Sequence, residues 1–419
     1  MTRTILIALT VLIAAASAAE DAPPPRFYIE RIEVREAARV SPDVVIAESR
    51  LREGQEYTEA DLRDAASRLS RLPFLLSSEF ALEKGSERGR FVLVVTIAET
   101  KPFFYAIDFR PILPADHTVE TDYSDRIGAE DGTGALGARW FVGRRGALHL
   151  ALITTEYDSA FARDYGAVAF GYTQYDLFGT RAFATLSVKQ VIEQNAGSIS
   201  PQLVVGVPLS ANQTLTVELD QTRFGDDVAN VRNEEFALQR GQRIVGATWS
   251  YNTTNRPFLP TRGTLVSVRP RASWSDSATY LYVVSPTNPT QDLEVVADTV
   301  HARAAELTVK GAQYWELSER TSVSAGLEGA WTHFQAESDF YGDRSDHVVR
   351  VVFRGGYSYS LWDAARMKTG DSRLELNARI GSRSIDYYDL GYTSQQQMSA
   401  SWVRRSSWGT LRLGVGYAW

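Results

Sequence analysis

The chain has 419 residues, with 44 Lys and Arg against 51 Asp and Glu, a formal charge of −7, and no cysteine. This mildly acidic balance lacks the basic field that nucleic acid requires, so nucleic acid is excluded as a predicted partner. Without cysteine there is no disulfide-stapled scaffold, and an exported chain of this size is better served by a large sheet that closes on itself.

Export is written into the first residues. Arg3 precedes the apolar run Ile5 to Ala16, and Ala16-Ser17-Ala18 is a small-x-small cleavage site. Together they predict a secretory signal peptide over 1–18 rather than a spanning helix. Its removal takes away one charge, Arg3, and leaves about −8. Residues 19–25, ending in Pro23-Pro24-Pro25, read as a linker.

Residues 26–100 have the grammar of a small α+β domain. Tyr28 to Arg35 alternates as a strand, with Ile32 and Val34 on one face. Ser41-Pro42 is an N-cap followed by proline at the first helical position, and Val44, Ala47 and Leu51 recur at helical spacing. Thr58-Glu59-Ala60-Asp61 starts a second helix whose stripe, Leu62, Ala65, Ala66, Leu69 and Leu72, must lie on a sheet. Leu75 to Leu82 and Phe91 to Ile97, separated by the Gly85-to-Gly89 turn, complete the order strand, helix, helix, strand, strand.

From Lys101 to the end, helical periodicity gives way to alternating runs separated by turns. The clear ones begin at Ala135, Ala147, Tyr165, Arg181, Leu203, Thr214, Arg243, Thr264, His301, Ser322, Arg373, Gln397 and Leu411. Phe103 to Phe109 and Val348 to Leu361 are candidate additions, so the direct count is about 13 to 15. After the leader, no stretch approaches the ~20 apolar residues of a spanning helix, whereas a barrel strand needs only ~10 alternating ones. In the last run Leu411, Leu413, Val415, Tyr417 and Trp419 alternate with small or polar residues, giving one apolar face that ends on an aromatic. This pattern predicts the closing strand of a membrane β-barrel, embedded in outer-membrane lipid, with many of the 9 Trp, 19 Tyr and 18 Phe in its interfacial girdles. A soluble sandwich that packs the same aromatics into a core is the alternative.

The order of elements in 26–100, with Gly54-Gln55-Glu56-Tyr57-Thr58 entering the second helix and Leu72-Pro73-Phe74 leaving it, resembles the POTRA domain of outer-membrane assembly and secretion proteins. Tyr175-Asp176-Leu177-Phe178-Gly179-Thr180 and Pro257-Phe258-Leu259-Pro260-Thr261-Arg262-Gly263 resemble the recurrent hairpin turns of the same proteins. Phe353-Arg354-Gly355-Gly356-Tyr357 is similar to their Arg-Gly-aromatic motif, with one additional glycine. With the terminal aromatic, these features resemble the POTRA-plus-β-barrel superfamily of assembly factors and two-partner secretion translocators.

The resemblance implies a periplasmic POTRA domain before an antiparallel transmembrane barrel over 101–419, of about sixteen strands or else about fourteen. It implies that Arg354, Gly355, Gly356 and Tyr357 lie on a loop folded into the lumen, with Arg354 paired to an inner-wall carboxylate. Glu375 is the candidate partner; an ordinary solvated arginine is the competing reading. Only three clear runs follow the motif where five would be expected, so either Val348 to Leu361 is itself a strand and the loop is lost, or the barrel is smaller.

Enzymatic motifs are weak. Gly132-x-Gly134-x-x-Gly137 matches a dinucleotide fingerprint, but Ala138 to Val142 continues as a strand where a helix is needed. The five histidines, at 117, 149, 301, 333 and 347, show no ligand spacing, and Gly-x-Ser-x-Gly is absent. No catalytic residue, metal or cofactor is therefore predicted. The expected function is cofactor-free assembly or translocation of unfolded client polypeptide at the bacterial outer membrane, by a monomer whose POTRA domain meets clients or periplasmic partners. A passive porin is the alternative, and a barrel hydrolase with a site assembled across strands is the third reading.

Overall fold

The computed structural model describes residues 25–69, 72, 74–109, 112–114, 132–143, 145–156, 165–178, 180, 182–192, 198–210, 212–224, 236–255, 259–284, 293–338, 343–362, 371–385 and 392–418. The signal peptide, Pro23 and Pro24, Pro73, Gly179, Pro257, Phe258 and Trp419 lie outside them.

The N-terminal unit begins with β1 (Arg26–Arg35), α1 (Pro42–Ser49), β2 (Gln55–Thr58), α2 (Glu59–Leu69), β3 (Leu75–Lys84) and β4 (Arg90–Glu99). Its sheet has the order β2-β1-β4-β3, with β1 and β4 parallel and the other neighbours antiparallel. The segment before α2 is thus an edge strand as well as a helix entry. A register shift between Ile29 and Arg31 puts both Ile29 and Ile32 into the core, although their spacing of three is wrong for a regular strand.

Ser41 accepts a hydrogen bond from the Asp43 N–H, and left-handed Arg50 closes α1 after little more than two turns. Leu51 therefore packs from beyond the helix end. In α2, Asp61 Oδ2 accepts from the Thr58 N–H while Thr58 Oγ1 accepts from the Asp61 N–H, a reciprocal cap. Leu62, Ala65 and Leu69 then bury against Leu93, Val95 and Ile97 of β4 in one core.

The remaining chain forms one closed wall. Its segments are β5 (Phe103–Phe109), β6 (Ile112–Pro114), β7 (Gly132–Val142), β8 (Gly146–Glu156), β9 (Tyr165–Leu177), β10 (Ala182–Ile192), β11 (Ser198–Pro208) and β12 (Gln213–Phe224). They continue with β13 (Phe236–Asn252), β14 (Gly263–Val284), β15 (Leu293–Glu316), β16 (Thr321–Ser338), β17 (Arg344–Ser360), β18 (Asp371–Ile385), β19 (Tyr392–Ser406) and β20 (Gly409–Ala418). From β7 to β20 every neighbour is the next strand in sequence, paired antiparallel.

β5 and β6 are successive pieces of one strand, since both pair with β20 in one register, so the described residues form a barrel of fifteen strands. This corrects the sixteen or fourteen implied by resemblance. It also corrects the all-antiparallel sheet: β20 runs parallel to β5 and β6. The reason is parity, because strands joined in simple succession alternate direction and the first and fifteenth must agree.

The wall segregates by strand phase. On β17, Val349, Phe353, Tyr357 and Tyr359 point outward and exposed, while Arg350, Arg354 and Ser358 share the inner face. Leu374, Leu376 and Ile380 of β18 continue the apolar outer surface, and Glu375, Asn377 and Arg379 the inner one. None of the helices among the described residues is long and apolar enough to cross a membrane.

Candidate functional site

Two features stand out on the barrel, its closing seam and a charged inner wall. At the seam, β20 pairs with β5 from Gly409↔Tyr105 to Leu413↔Phe109, and with β6 from Gly416↔Ile112 to Ala418↔Pro114. The register is the same in both blocks, and residues 110 and 111 between them lie outside the described residues. Parallel pairing is slightly weaker per residue than antiparallel pairing.

The near end of the seam is fixed by Lys101 N–H to Ser407 O at 2.7 Å and Tyr105 N–H to Trp408 O at 2.8 Å. Gly409 stands there with φ of 142°, where a Cβ would lie 1.8 Å from Tyr105 O, so no other residue can start this strand without moving it. Inside the seam, Arg412 ties β20 to β5 and, across β19, to β18, donating to Asp108 Oδ2 at 3.3 Å and Glu375 Oε2 at 3.1 Å. Leu413, Val415 and Tyr417 are exposed on the opposite face of β20. Leu411 shares their phase, and Trp419 falls outside the described residues.

The inner wall places the Arg-Gly segment differently from expectation. Arg354, Gly355, Gly356 and Tyr357 are in the middle of β17, hydrogen-bonded between β16 and β18, and not on an infolded loop. The segment alternates apolar and polar residues in phase with its neighbours, and this two-residue period makes it a wall strand. Only alternate members can face inward, so Arg354 does and Tyr357 does not.

The partner of Arg354 is Glu328, not Glu375. Glu328 Oε2 accepts from Arg354 Nη2 at 2.8 Å, Oε1 accepts from Arg350 Nη2 at 2.5 Å, and Lys310 Nζ lies 3.4 Å away. Glu375 is taken by Arg412, which sits on the same inner face of the next hairpin. Glu328 was legible only as an inward residue of β16, in phase with Ser322 and Ser324; its three cations come from two other strands.

A further ionic site joins Glu218 of β12 to Arg269 and Arg271 of β14. Close to the N-terminal unit, Arg373 and Asp371 form a pair almost wholly buried in the wall. The glycine fingerprint sits within β7. At Gly137 a Cβ would meet the Phe104 ring at 2.3 Å, so that glycine makes room for an aromatic inside the barrel. Of the histidines, His301 hydrogen-bonds Asp276 at 2.8 Å, and His333 and His347 share a 3.0 Å contact. No group of three or more metal-ligating side chains occurs among the described residues.

The N-terminal unit is seated on one mouth of the barrel. Phe74 packs edge-on against Phe141 of β7 and Tyr175 of β9, with ring centroids at 5.1 and 5.8 Å. Arg405 Nη2 donates to Leu75 O at 3.4 Å, reaching from β19 to β3. The Tyr175-to-Thr180 turn lies at this mouth, with Asp176 and Phe178 in left-handed conformations and Asp176 held by Arg145 at 2.8 Å.

No family model matches the chain, and no curated protein does. Among solved structures it is similar to BamA from Haemophilus ducreyi lacking POTRA domains 1-3, at 10% identity and a TM-score of 0.44 over 94% of this chain and 85% of that one. It is similar to CdiB from Acinetobacter baumannii at 9% identity and a TM-score of 0.44, over 94% of this chain and 63% of that one. The ferric-catecholate import receptor Fiu from E. coli K12 gives 9% identity and a TM-score of 0.36, over 79% of this chain and 68% of that one.

Proposed function

We propose that the chain is a bacterial outer-membrane barrel that assembles or translocates polypeptides, with 26–100 acting as a POTRA-like periplasmic module. The observation that carries this reading is the parallel seam between β20 and β5/β6, where every other neighbour in the wall is antiparallel and parallel pairing is slightly weaker per residue. Opening of this seam would free backbone groups as partners for an extended client, and edge pairing makes little demand on client sequence. The outward Phe353, Leu376, Ile380 and Val415 supply the apolar surface that lipid would cover. β3, one of the two outer strands of the small sheet, offers an unpaired edge among the described residues, next to the mouth.

Because the chain contains no cysteine, the seam can be tested with a single introduced pair. Ala106 and Thr410 are register partners on β5 and β20. An A106C/T410C chain closed by a bis-thiol linker is expected to lose client insertion or secretion in proteoliposomes and to regain it on reduction of a cleavable linker. Normal client handling by the closed chain sinks the reading. Deleting Arg26 to Thr100 is expected to leave an inserted barrel that handles no client. A passive porin is the second reading, favoured by the polar inner cavity beside Glu328; steady conductance unaffected by closing the seam would support it.

A further inference from the structure

The register of β16 against β17 sets His333 directly opposite His347. The two are 14 residues apart in the chain, so no local spacing marks them as a pair and only the folded hairpin brings them together. Their Nδ1 atoms stand 3.0 Å apart, with ring centroids at 4.6 Å and planes inclined by 27°. The Trp331 indole flanks the pair, nearly parallel to both rings, with centroids at 6.2 and 6.3 Å.

Position matters as much as distance. The histidines share the outward phase of Trp331 and Val349, the adjoining register pair on the apolar side. The adjoining pair on the other side is Gln335 and Ser345, both exposed. β7, β9, β17 and β19 run toward the mouth that carries the N-terminal unit, and His347 is near the start of β17. The pair therefore lies at the opposite mouth, on the border between the apolar band and a polar rim, where water can complete a coordination shell.

When both imidazoles are neutral and keep their proton on Nε2, two Nδ1 lone pairs point into one small space, an arrangement that a cation resolves. A separation of 3.0 Å subtends about 95° at a metal ~2.05 Å from both nitrogens. That is the angle between adjacent ligands of a tetragonal or octahedral ion; a tetrahedral ion at the same bond length needs nitrogens ~3.3 Å apart.

We propose that His333 and His347 form a two-histidine site for a divalent transition ion of the copper class, completed by water, on the outer face of the far mouth. Imidazole suits copper and nickel, and copper heads the affinity order of the divalent ions. The hairpin holds both ligands in place beforehand, so the second nitrogen binds as an intramolecular ligand. Neither the seam nor Glu328 takes part, so a chain that fails to handle clients can still bind the ion.

The test uses the full chain without an affinity tag, folded in detergent micelles, with Cu2+ alone as the probe. Binding is followed by calorimetry and by pulsed electron paramagnetic resonance, which counts the coordinated imidazoles. One-site binding with two imidazoles on the ion is expected. His333→Ala and His347→Ala are each expected to weaken it by at least ~10-fold and to lower the imidazole count. His301→Ala removes a histidine in the same outward phase, already held by Asp276, and is expected to leave affinity unchanged. Ni2+ and Zn2+ are expected to bind more weakly than Cu2+. Each variant is first checked for the wild-type difference in gel mobility between unheated and boiled samples. Unchanged affinity in both variants overturns the site. Loss in only one of them does so too, by reducing it to a single histidine, and equal loss in H301A reduces it to histidine content. A pair joined only by a shared proton takes up no ion, which also overturns the proposal, and Zn2+ binding more tightly than Cu2+ overturns the choice of ion.

Discussion

Glu328 shows how one residue organises a wall. Its side chain is 6% exposed, while the three cations around it reach water more freely, at 37%, 54% and 55% for Arg350, Arg354 and Lys310. A buried carboxylate is tolerable only with such partners, whereas the cations, being half-solvated, can survive its loss. Glu328→Ala is therefore expected to cost about 1–3 kcal/mol, the scale of hydrogen bonds to charged groups, and not the larger penalty of an orphaned buried charge. Thermal unfolding in detergent checks this, and Arg354→Ala should cost less because Glu328 keeps Arg350 and Lys310. The sequence marked Arg354 as the member of a pair but misjudged its partner. Strand register, which decides who stands opposite whom, depends on pairings far apart in the chain.

At the scale of elements, the contact between α1 and β9 carries a pH-dependent term. Glu48 on α1 faces the Asp176 turn of β9, and burial pushes its carboxyl up to about 7 from an ordinary 4.5. Arg50 opposes the rise, Asp176 adds to it and Arg68 opposes it. Arg145 meanwhile occupies Asp176. A carboxyl whose pKa is raised in the docked form holds its proton there and loses it when free. The seated domain is thus favoured fully below the free value, near 4.5, and this contribution is lost as pH rises through about 7. Hydrogen exchange of α1 is expected to speed up between about pH 4.5 and 7 in the native chain and to be flat over that range in Glu48→Gln, allowing for the intrinsic rate. A flat native profile would show that Glu48 stays ionised and solvated.

For the whole molecule, parity has the largest consequence. Fifteen strands force a parallel closure, and β20 therefore runs away from the mouth that carries the N-terminal unit. Closure removes the sheet edges but leaves one line of weakness, where Gly414 and Gly416 contribute no side chains to inner-face packing. A closed barrel nonetheless resists detergent as a unit. The purified chain is expected to migrate faster on a gel when unheated than when boiled, and the A106C/T410C cross-link should raise the temperature of that transition. A folded, detergent-free soluble monomer without the shift would refute a membrane barrel.

Local periodicity was enough to place most of these elements. The alternation of Leu413, Val415 and Tyr417, or of Leu374, Leu376 and Ile380, fixes a strand and its two faces because successive side chains must point oppositely. Even the candidate runs Phe103 to Phe109 and Val348 to Leu361 correspond to wall strands. What alternation cannot carry is who pairs with whom at the ends. The parallel seam, the bulge that turns both Ile29 and Ile32 inward, and the gathering of Lys310, Arg350 and Arg354 around Glu328 were decided only in three dimensions. Each rests on contacts between distant segments, whose register is chosen by the closure of the whole sheet and not by any stretch of residues read alone.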